Sequence, residues 1–150
     1  MYTTGYQYQQ SLPRVKEEGL KKWQAQWEKA VNGAICRSFF PKVEQRLKLR
    51  IPITLEFNAI VSGHRKKKAY LNRFKLTDNP MCPCIEGEQS VENLIYVCSI
   101  LEPNRSDMIK HITTRGRIWP PTNNELVNKY LNAFTKSVKS VVPPCIVRLH

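Results

Sequence analysis

The chain is short of acid. Its 150 residues hold 12 Asp and Glu against 24 Lys and Arg, for a net charge of +12. Aspartate is scarcest, with only Asp78 and Asp107. Two-metal nucleotidyl transfer and RNA cleavage need carboxylates gathered around paired magnesium ions, and two isolated aspartates form no such cluster. Long apolar runs are also lacking. None approaches the roughly 18 residues a membrane span requires, so no membrane partner is expected. The opening stretch MYTTGYQYQQ has neither the basic start nor the apolar core of a secretory signal. The expected setting is therefore intracellular, nucleus or cytoplasm, and reducing. Internal repeats and low-complexity tracts are missing too.

The charge present is unevenly placed. From His64 to Lys75 there are six cations and no acid; from Cys82 to Asp107, five acids and one Arg; from Met108 onward, seven cations and one Glu. An acidic insert thus lies between two basic flanks. A charge of this size implies a polyanion partner, RNA or DNA. The run Arg65-Lys66-Lys67-Lys68 spans a full helical turn, so its cations cannot all face one ligand. It reads either as a solvated turn with snorkelling stems or as a phosphate-tracking patch completed by Arg73 and Lys75.

The periodicity is helical. Leu20, Trp23, Trp27, Ala30 and Val31 share a face, Pro13 suits a first turn and Asn32-Gly33 a stop. The two tryptophans read as a core ridge in preference to a base-stacking platform. Ile35–Phe40 reads as a short extended piece closed by Pro41, and Val43 and Leu47 as a short helix. A further helix is expected from Thr54 to Lys75, bent or divided at Gly63. Ser90 should cap a short helix whose inner face is Val91, Leu94, Ile95, Cys98 and Leu101. Met108, Ile109 and Ile112 mark another. Leu126 through Val141 mark a last helix, started at Thr122 or Asn123 with Glu125 in its first turn. The expected fold is mainly α: a small helical domain with a Cys-rich loop–helix, zinc-knuckle-like insert. Its parts are a disordered N-terminus (1–10), a helical basic region (11–76), the Cys-rich segment (77–112), and a linker with a C-terminal amphipathic helix (113–150).

The insert, MCPCIEGEQSVENLIYVC, holds three of the five cysteines. An odd count grouped in this way favours metal or free thiols over a disulfide framework. Structural zinc takes four thiolate or imidazole ligands in a closed tetrahedron. Cys82 and Cys84 supply a loop pair and Cys98 a helix ligand. The helix position that would supply the fourth holds Asn93, a poor zinc ligand. The site either recruits an outside group (His111 is the nearest histidine, with Cys145 and His64 possible in space), binds zinc weakly, or is metal-free with Cys98 packed in the core. Zinc binding is expected to be weakened or lost. A cysteine nucleophile with His64 or His111 as base lacks a third, orienting group.

Read in order, Trp23-Gln24-x-x-Trp27, Arg37-Ser38-Phe39-Phe40-Pro41-x-Val43, Ser62-Gly63-His64, Ala69-Tyr70-Leu71-x-Arg73-Phe74, Pro80-x-Cys82-x-Cys84, Glu88-x-x-Val91-Glu92-Asn93-Leu94 and Cys98 resemble one family. This is the C-terminal tail, after the ribonuclease H region, of the Pol polyprotein of insect-type non-LTR retrotransposons. The resemblance covers about Leu20 to Ile100. It implies a parent reverse transcriptase with an endonuclease, RNA-directed DNA polymerase activity in that parent, and a Cys/His tail that holds RNA or DNA. It matches Cys82, Cys84 and Cys98 to metal ligands and His64 to a Gly-His motif, and puts Asn93 where the family has His. Arg65 stands where the family has Gly. With no Tyr-x-Asp-Asp signature, this chain is expected to be a non-catalytic fragment that works beside upstream domains. A structural or protein-interaction domain with a degenerate metal site is the alternative.

Overall fold

A computed structural model describes residues 4–51, 54–64 and 68–139, with side chains from residue 13. Arg65, Lys66, Lys67, Val141 and Cys145 lie outside the described residues. The chain is mainly helical, as the periodicity implies. Among the described residues there is no strand, only the isolated antiparallel bridge between Met81 and Glu88.

Helix α1 (Thr4–Lys29) starts inside the 1–10 segment and carries Pro13 in its interior, not in its first turn. Its middle carries exposed pairs one turn apart, Arg14 with Glu18 at 3.2 Å and Lys21 with Glu17 at 2.8 Å. Solvent screening leaves such pairs little net effect on stability. Its docking is more specific. Trp27 Nε1 donates to the Phe40 carbonyl at 2.8 Å. Gln24 donates to the Pro41 carbonyl at 2.9 Å and accepts from the Val43 N–H at 2.9 Å. One side-chain amide thereby satisfies both backbone groups at the corner around Pro41. Trp23 is 48% exposed. The core-ridge expectation therefore fails for Trp23, because α1 rests on the neck between the next two helices instead of entering the core.

Those helices are α2 (Ala34–Phe39) and α3 (Val43–Lys48). The segment expected to be extended is helical. Gly33 takes a left-handed conformation (φ 83) that redirects the chain, and α2 turns so that Phe39 and Phe40 are both buried. Helix α4 (Leu55–Ser62) ends at Gly63, again left-handed at φ 70. A Cβ there would lie 2.5 Å from Ile35 Cδ1, so glycine is required for conformation and for space. The chain resumes as α5 (Lys68–Arg73), which makes the 54–75 segment two helices.

After the cysteine segment come α6 (Glu102–Thr113), α7 (Asn123–Asn128) and α8 (Leu131–Lys139). Thr122 caps α7 in the expected capping box with Glu125. The expected single last helix is two, separated around Lys129 and Tyr130. Tyr130 is buried, so the break lets its ring and Phe134 reach the core together. The centre is aromatic: Phe134 stacks on Phe39 (5.8 Å) and meets Phe57 edge-on (5.7 Å). Met108 and Ile112 of α6 and Leu126 and Val127 of α7 complete it, all 1% exposed or less. The cysteine segment packs onto this core through Val91, Leu94, Ile95 and Leu101, so its inner face is the one the spacing predicts.

Candidate metal centre and cationic surface

The cysteine segment folds as a knuckle followed by an irregular helix. In the knuckle Cys82 N–H bonds the Gly87 carbonyl and Ile85 N–H the Cys82 carbonyl, both at 2.9 Å. Ile85 sits at φ 65, a left-handed conformation costly for a β-branched residue. It allows the tight turn that brings Cys82 and Cys84 to one side with a single residue between them. Ser90 Oγ then accepts from Asn93 N–H at 3.1 Å, the expected cap. The helix that follows does not stay α. Asn93–Val97 forms a π-turn closed by Cys98 N–H to the Asn93 carbonyl at 2.7 Å, and a 3-10 turn, Ser99–Leu101, follows.

That irregularity builds the site. Residues five apart on an α-helix point about 140° apart. The wider i to i+5 turn brings residue 98 closer to the side of residue 93. Cys82, Cys84 and Cys98 then place their sulfurs within 4.8 Å of one another, with Cys82 Sγ 3.8 Å from Cys98 Sγ. A tetrahedral zinc site with Zn–S near 2.3 Å has edges of about 3.8 Å. Asn93 is at the fourth corner. Its Nδ2 lies 3.9 Å from Cys84 Sγ, and its buried Oδ1 has no hydrogen-bond partner. Gly87 faces it, where a Cβ would come within 3.8 Å of Nδ2. Three corners fit zinc; the fourth offers an amide where thiolate or imidazole is wanted. The cluster has the donors to hold a metal ion.

Protonation follows the same geometry. Burial pushes the Cys82 thiol up to about 12. For Cys84 burial also acts upward, but hydrogen bonds from the Glu86 backbone and from the Cys82, Cys98 and Asn93 side chains outweigh it, so its pKa is lowered. Of Cys82 and Cys84, Cys84 is the thiol whose loss of a proton the surroundings favour.

Arg105 supports the site, and sequence reasoning missed it. It is buried at 4% exposure. Its Nε donates to the Ile95 carbonyl at 2.8 Å and its Nη2 to the Cys98 carbonyl at 2.5 Å. The change from π to 3-10 geometry leaves the Ile95 carbonyl without a regular helical partner, while the Cys98 carbonyl also accepts from Leu101 N–H at 3.1 Å. The guanidinium also sets a positive charge behind a cluster of thiols. The signal was available: Arg105 is the only cation among the five acids from Cys82 to Asp107. Glu86 ties the knuckle to the helix by accepting from Ser99 N–H at 3.0 Å.

The outside ligands are elsewhere. His111 is exposed and meets Tyr130 edge-on at 6.5 Å. His64 is exposed beside Tyr70, its Nδ1 2.8 Å from the Ser62 carbonyl. Neither belongs to the cysteine group.

Of the cationic residues, Lys68, Arg73 and Lys75 are described. Lys68 opens α5, its N–H bonded to the buried Gln89 Oε1 at 3.0 Å, which ties the basic segment to the cysteine segment. Arg73 closes α5 with its guanidinium 5.7 Å from the Phe74 ring centre, and Lys75 is exposed just beyond. Lys68 and Arg73 point about 140° apart by helix geometry, so they do not form one face. Along the same segment run three neighbouring rings, His64 to Tyr70 at 5.5 Å and Tyr70 to Phe74 at 4.9 Å, with Phe74 52% exposed.

The molecule is thus a small helical domain whose knuckle-and-helix insert gathers three cysteines. No family model matches the chain, and no solved structure does. Curated proteins do match. The retrovirus-related Pol polyprotein from type-1 retrotransposable element R1 of Popillia japonica is 30% identical over 132 residues, 86% of this chain and 52% of that protein. The protein of the same description from Bradysia coprophila is 25% identical over 103 residues, 68% of this chain and 10% of that protein. The chain therefore spans about half the length of the first relative and a tenth of the second. Together they support a non-LTR retrotransposon Pol origin for the chain.

Proposed function

We propose that the chain is a non-catalytic nucleic-acid-binding module, derived from the C-terminal tail of a retrotransposon Pol polyprotein, that acts beside upstream domains of its parent. The observation that carries this reading is the segment from His64 to Lys75. It holds six cations in sequence, and its described part sets Arg73 against Phe74 in a row of neighbouring rings, His64, Tyr70 and Phe74. Cations contribute phosphate affinity without sequence preference, and rings offer faces on which bases stack. The two aspartates support the non-catalytic part: Asp78 is exposed in the turn after α5, and Asp107 pairs with Lys136 at 3.7 Å on α6. The setting we infer is intracellular, nucleus or cytoplasm.

Cys82, Cys84 and Cys98 are the ligands we assign to a metal, with Asn93 in place of a fourth. Zinc, when bound, would cross-link the knuckle to the helix and supply no chemistry of reaction. The chain's own residues do much of that work without it. Cys82 and Cys98 are buried among core residues, and Arg105 and Glu86 fasten the helix end. Zinc binding in this reading is weakened or lost.

The test is RNA and DNA binding as a function of salt, with Lys66, Lys67 and Lys68 changed together to Glu. Removing one cation–phosphate interaction lowers the slope of log K against log salt by about 0.7–0.9, so the variant should bind more weakly with a slope shallower by about 2–3. An unchanged slope would make the run a solvated face. The alternative, a structural or protein-interaction domain with a degenerate metal site, is favoured by how far Cys82 and Cys98 are absorbed into the core. It predicts no retention on nucleic acid near physiological salt.

A further inference from the structure

Residues of α1, α2, α3 and α4 line an open cavity of about 380 Å³ that includes none of Cys82, Cys84 and Cys98. That falls within the range of small-ligand pockets, roughly 300–1,000 Å³. Its walls are aromatic and aliphatic, with Trp23 and Trp27 from α1, Phe40 from the neck and Leu47 from α3. Two of these, Trp23 at 48% and Leu47 at 56%, are unusually exposed for their size. Trp27 has its ring nitrogen committed to the Phe40 carbonyl. Trp23 has no hydrogen-bond partner among the described residues and offers an open indole face. The polar contribution is small and placed at one wall, where the exposed Asn58 carries an amide that can both donate and accept.

The rim decides what such a pocket would take. Arg46 lines it, its guanidinium 5.3 Å from the Phe40 ring centre, and Arg37 stands 5.7 Å from the Trp27 ring centre. Neither has a carboxylate partner among the described residues. The nearby acids are already engaged, Glu28 by Lys42 at 3.5 Å and Glu44 by Lys48 at 2.8 Å. An apolar peptide would meet the uncompensated Arg46 guanidinium in the lining and that of Arg37 beside Trp27. A nucleotide matches both parts, its base against the indole and its flanking phosphodiesters against the arginines.

We propose that this cavity receives one unpaired base of a single-stranded nucleic acid, stacked on Trp23, with Arg37 and Arg46 on the adjoining phosphates. The proposal rests on the nucleic-acid-binding reading above and deepens it, because it makes the ligand single-stranded. A paired base has no free face to offer.

The experiment compares a single-stranded oligonucleotide with its blunt duplex. It uses wild type, Trp23→Ala, Trp23→Phe and the Lys66/Lys67/Lys68→Glu variant, and reads affinity and tryptophan emission. Wild type should prefer the single strand and show emission quenching on binding. Trp23→Ala should lose roughly five- to hundredfold on the single strand, the range for deleting one stacking partner, and little on the duplex. Trp23→Phe should keep most of the affinity and lose most of the quenching. The proposal is overturned if Trp23→Ala binds the single strand as wild type does. Equal weakening on both substrates overturns it as well, since that marks a structural role. If the Lys variant alone loses affinity, the pocket fails while the nucleic-acid reading stands. If wild type binds neither substrate, both fail.

Discussion

Replacing Asn93 by His tests the metal centre most directly. The three sulfurs sit within 4.8 Å of one another, and Asn93 Nδ2 is 3.9 Å from Cys84 Sγ. Position 93 therefore already lies beside the thiols, and facing it is Gly87, which carries no side chain to compete for that space. The substitution also removes a buried amide oxygen that has no partner, a defect that costs about 1–3 kcal/mol. With free zinc at 100 times the dissociation constant, a site closed by His should gain about 2.7 kcal/mol through binding to the folded state alone. For a chain of this size 1 kcal/mol corresponds to about 2–4 °C in Tm, so Asn93→His should rise by about 5–10 °C. Wild type, with three thiolates and an amide, should rise by less than about 2 °C under the same zinc, equivalent to under about 1 kcal/mol. Calorimetry with and without a chelator gives the shifts, and metal analysis of the purified proteins gives the stoichiometry. One zinc and an equal shift in both proteins would refute the reasoning, because an outside ligand would then be closing the native site. No shift in the variant would refute it differently, by showing that the three thiols do not form a metal centre at all.

Two other expectations can be read from single side chains. Arg105→Met leaves the Ile95 carbonyl buried without a donor and the Cys98 carbonyl with Leu101 N–H alone, a loss of about 1–3 kcal/mol visible as a lower urea midpoint; Arg105→Lys should recover only part of it. Glu125 is held down to about 2 by its hydrogen bonds from Lys129 and from the Thr122 backbone. Its folded pKa lies below its unfolded one, so its contribution is present above the ordinary carboxylate range and is lost as pH falls from about 4.5 toward 2. Thermal melts across that window should be steeper in pH for wild type than for Glu125→Gln, and parallel curves would remove the capping box from the acid response.

Much of the helical layout is legible in residue spacing, because an amphipathic helix needs only a repeating apolar face and a cap. The inner face Val91, Leu94, Ile95, Cys98 and Leu101 is buried as its spacing implies, and Thr122 with Glu125 forms the capping box its pattern describes. Where the reading fails, neighbours distant in sequence are responsible. Ile35–Phe40 looks extended to a local rule, yet it is helical because Phe39 must reach Phe134, 95 positions along the chain. Trp23 has the spacing of a core residue and is half exposed, because α1 rests on the neck at Phe40 and Pro41.

The cysteine site divides along the same line. The sequence by itself determined which residues are candidates: three grouped thiols, an Asn at the position proposed for a fourth ligand, and a basic flank. It also carried the likeness to retrotransposon Pol, since order and spacing of motifs survive in the linear chain. Only the tertiary structure decided that positions 93 and 98 face the same point. On a regular α-helix they diverge by about 140°. The π-turn narrows that divergence, and it is held by Arg105, from the next helix, which satisfies the Ile95 carbonyl the turn leaves open and adds a second donor to that of Cys98. A buried hydrogen bond between elements is a property of packing, and no local pattern records it.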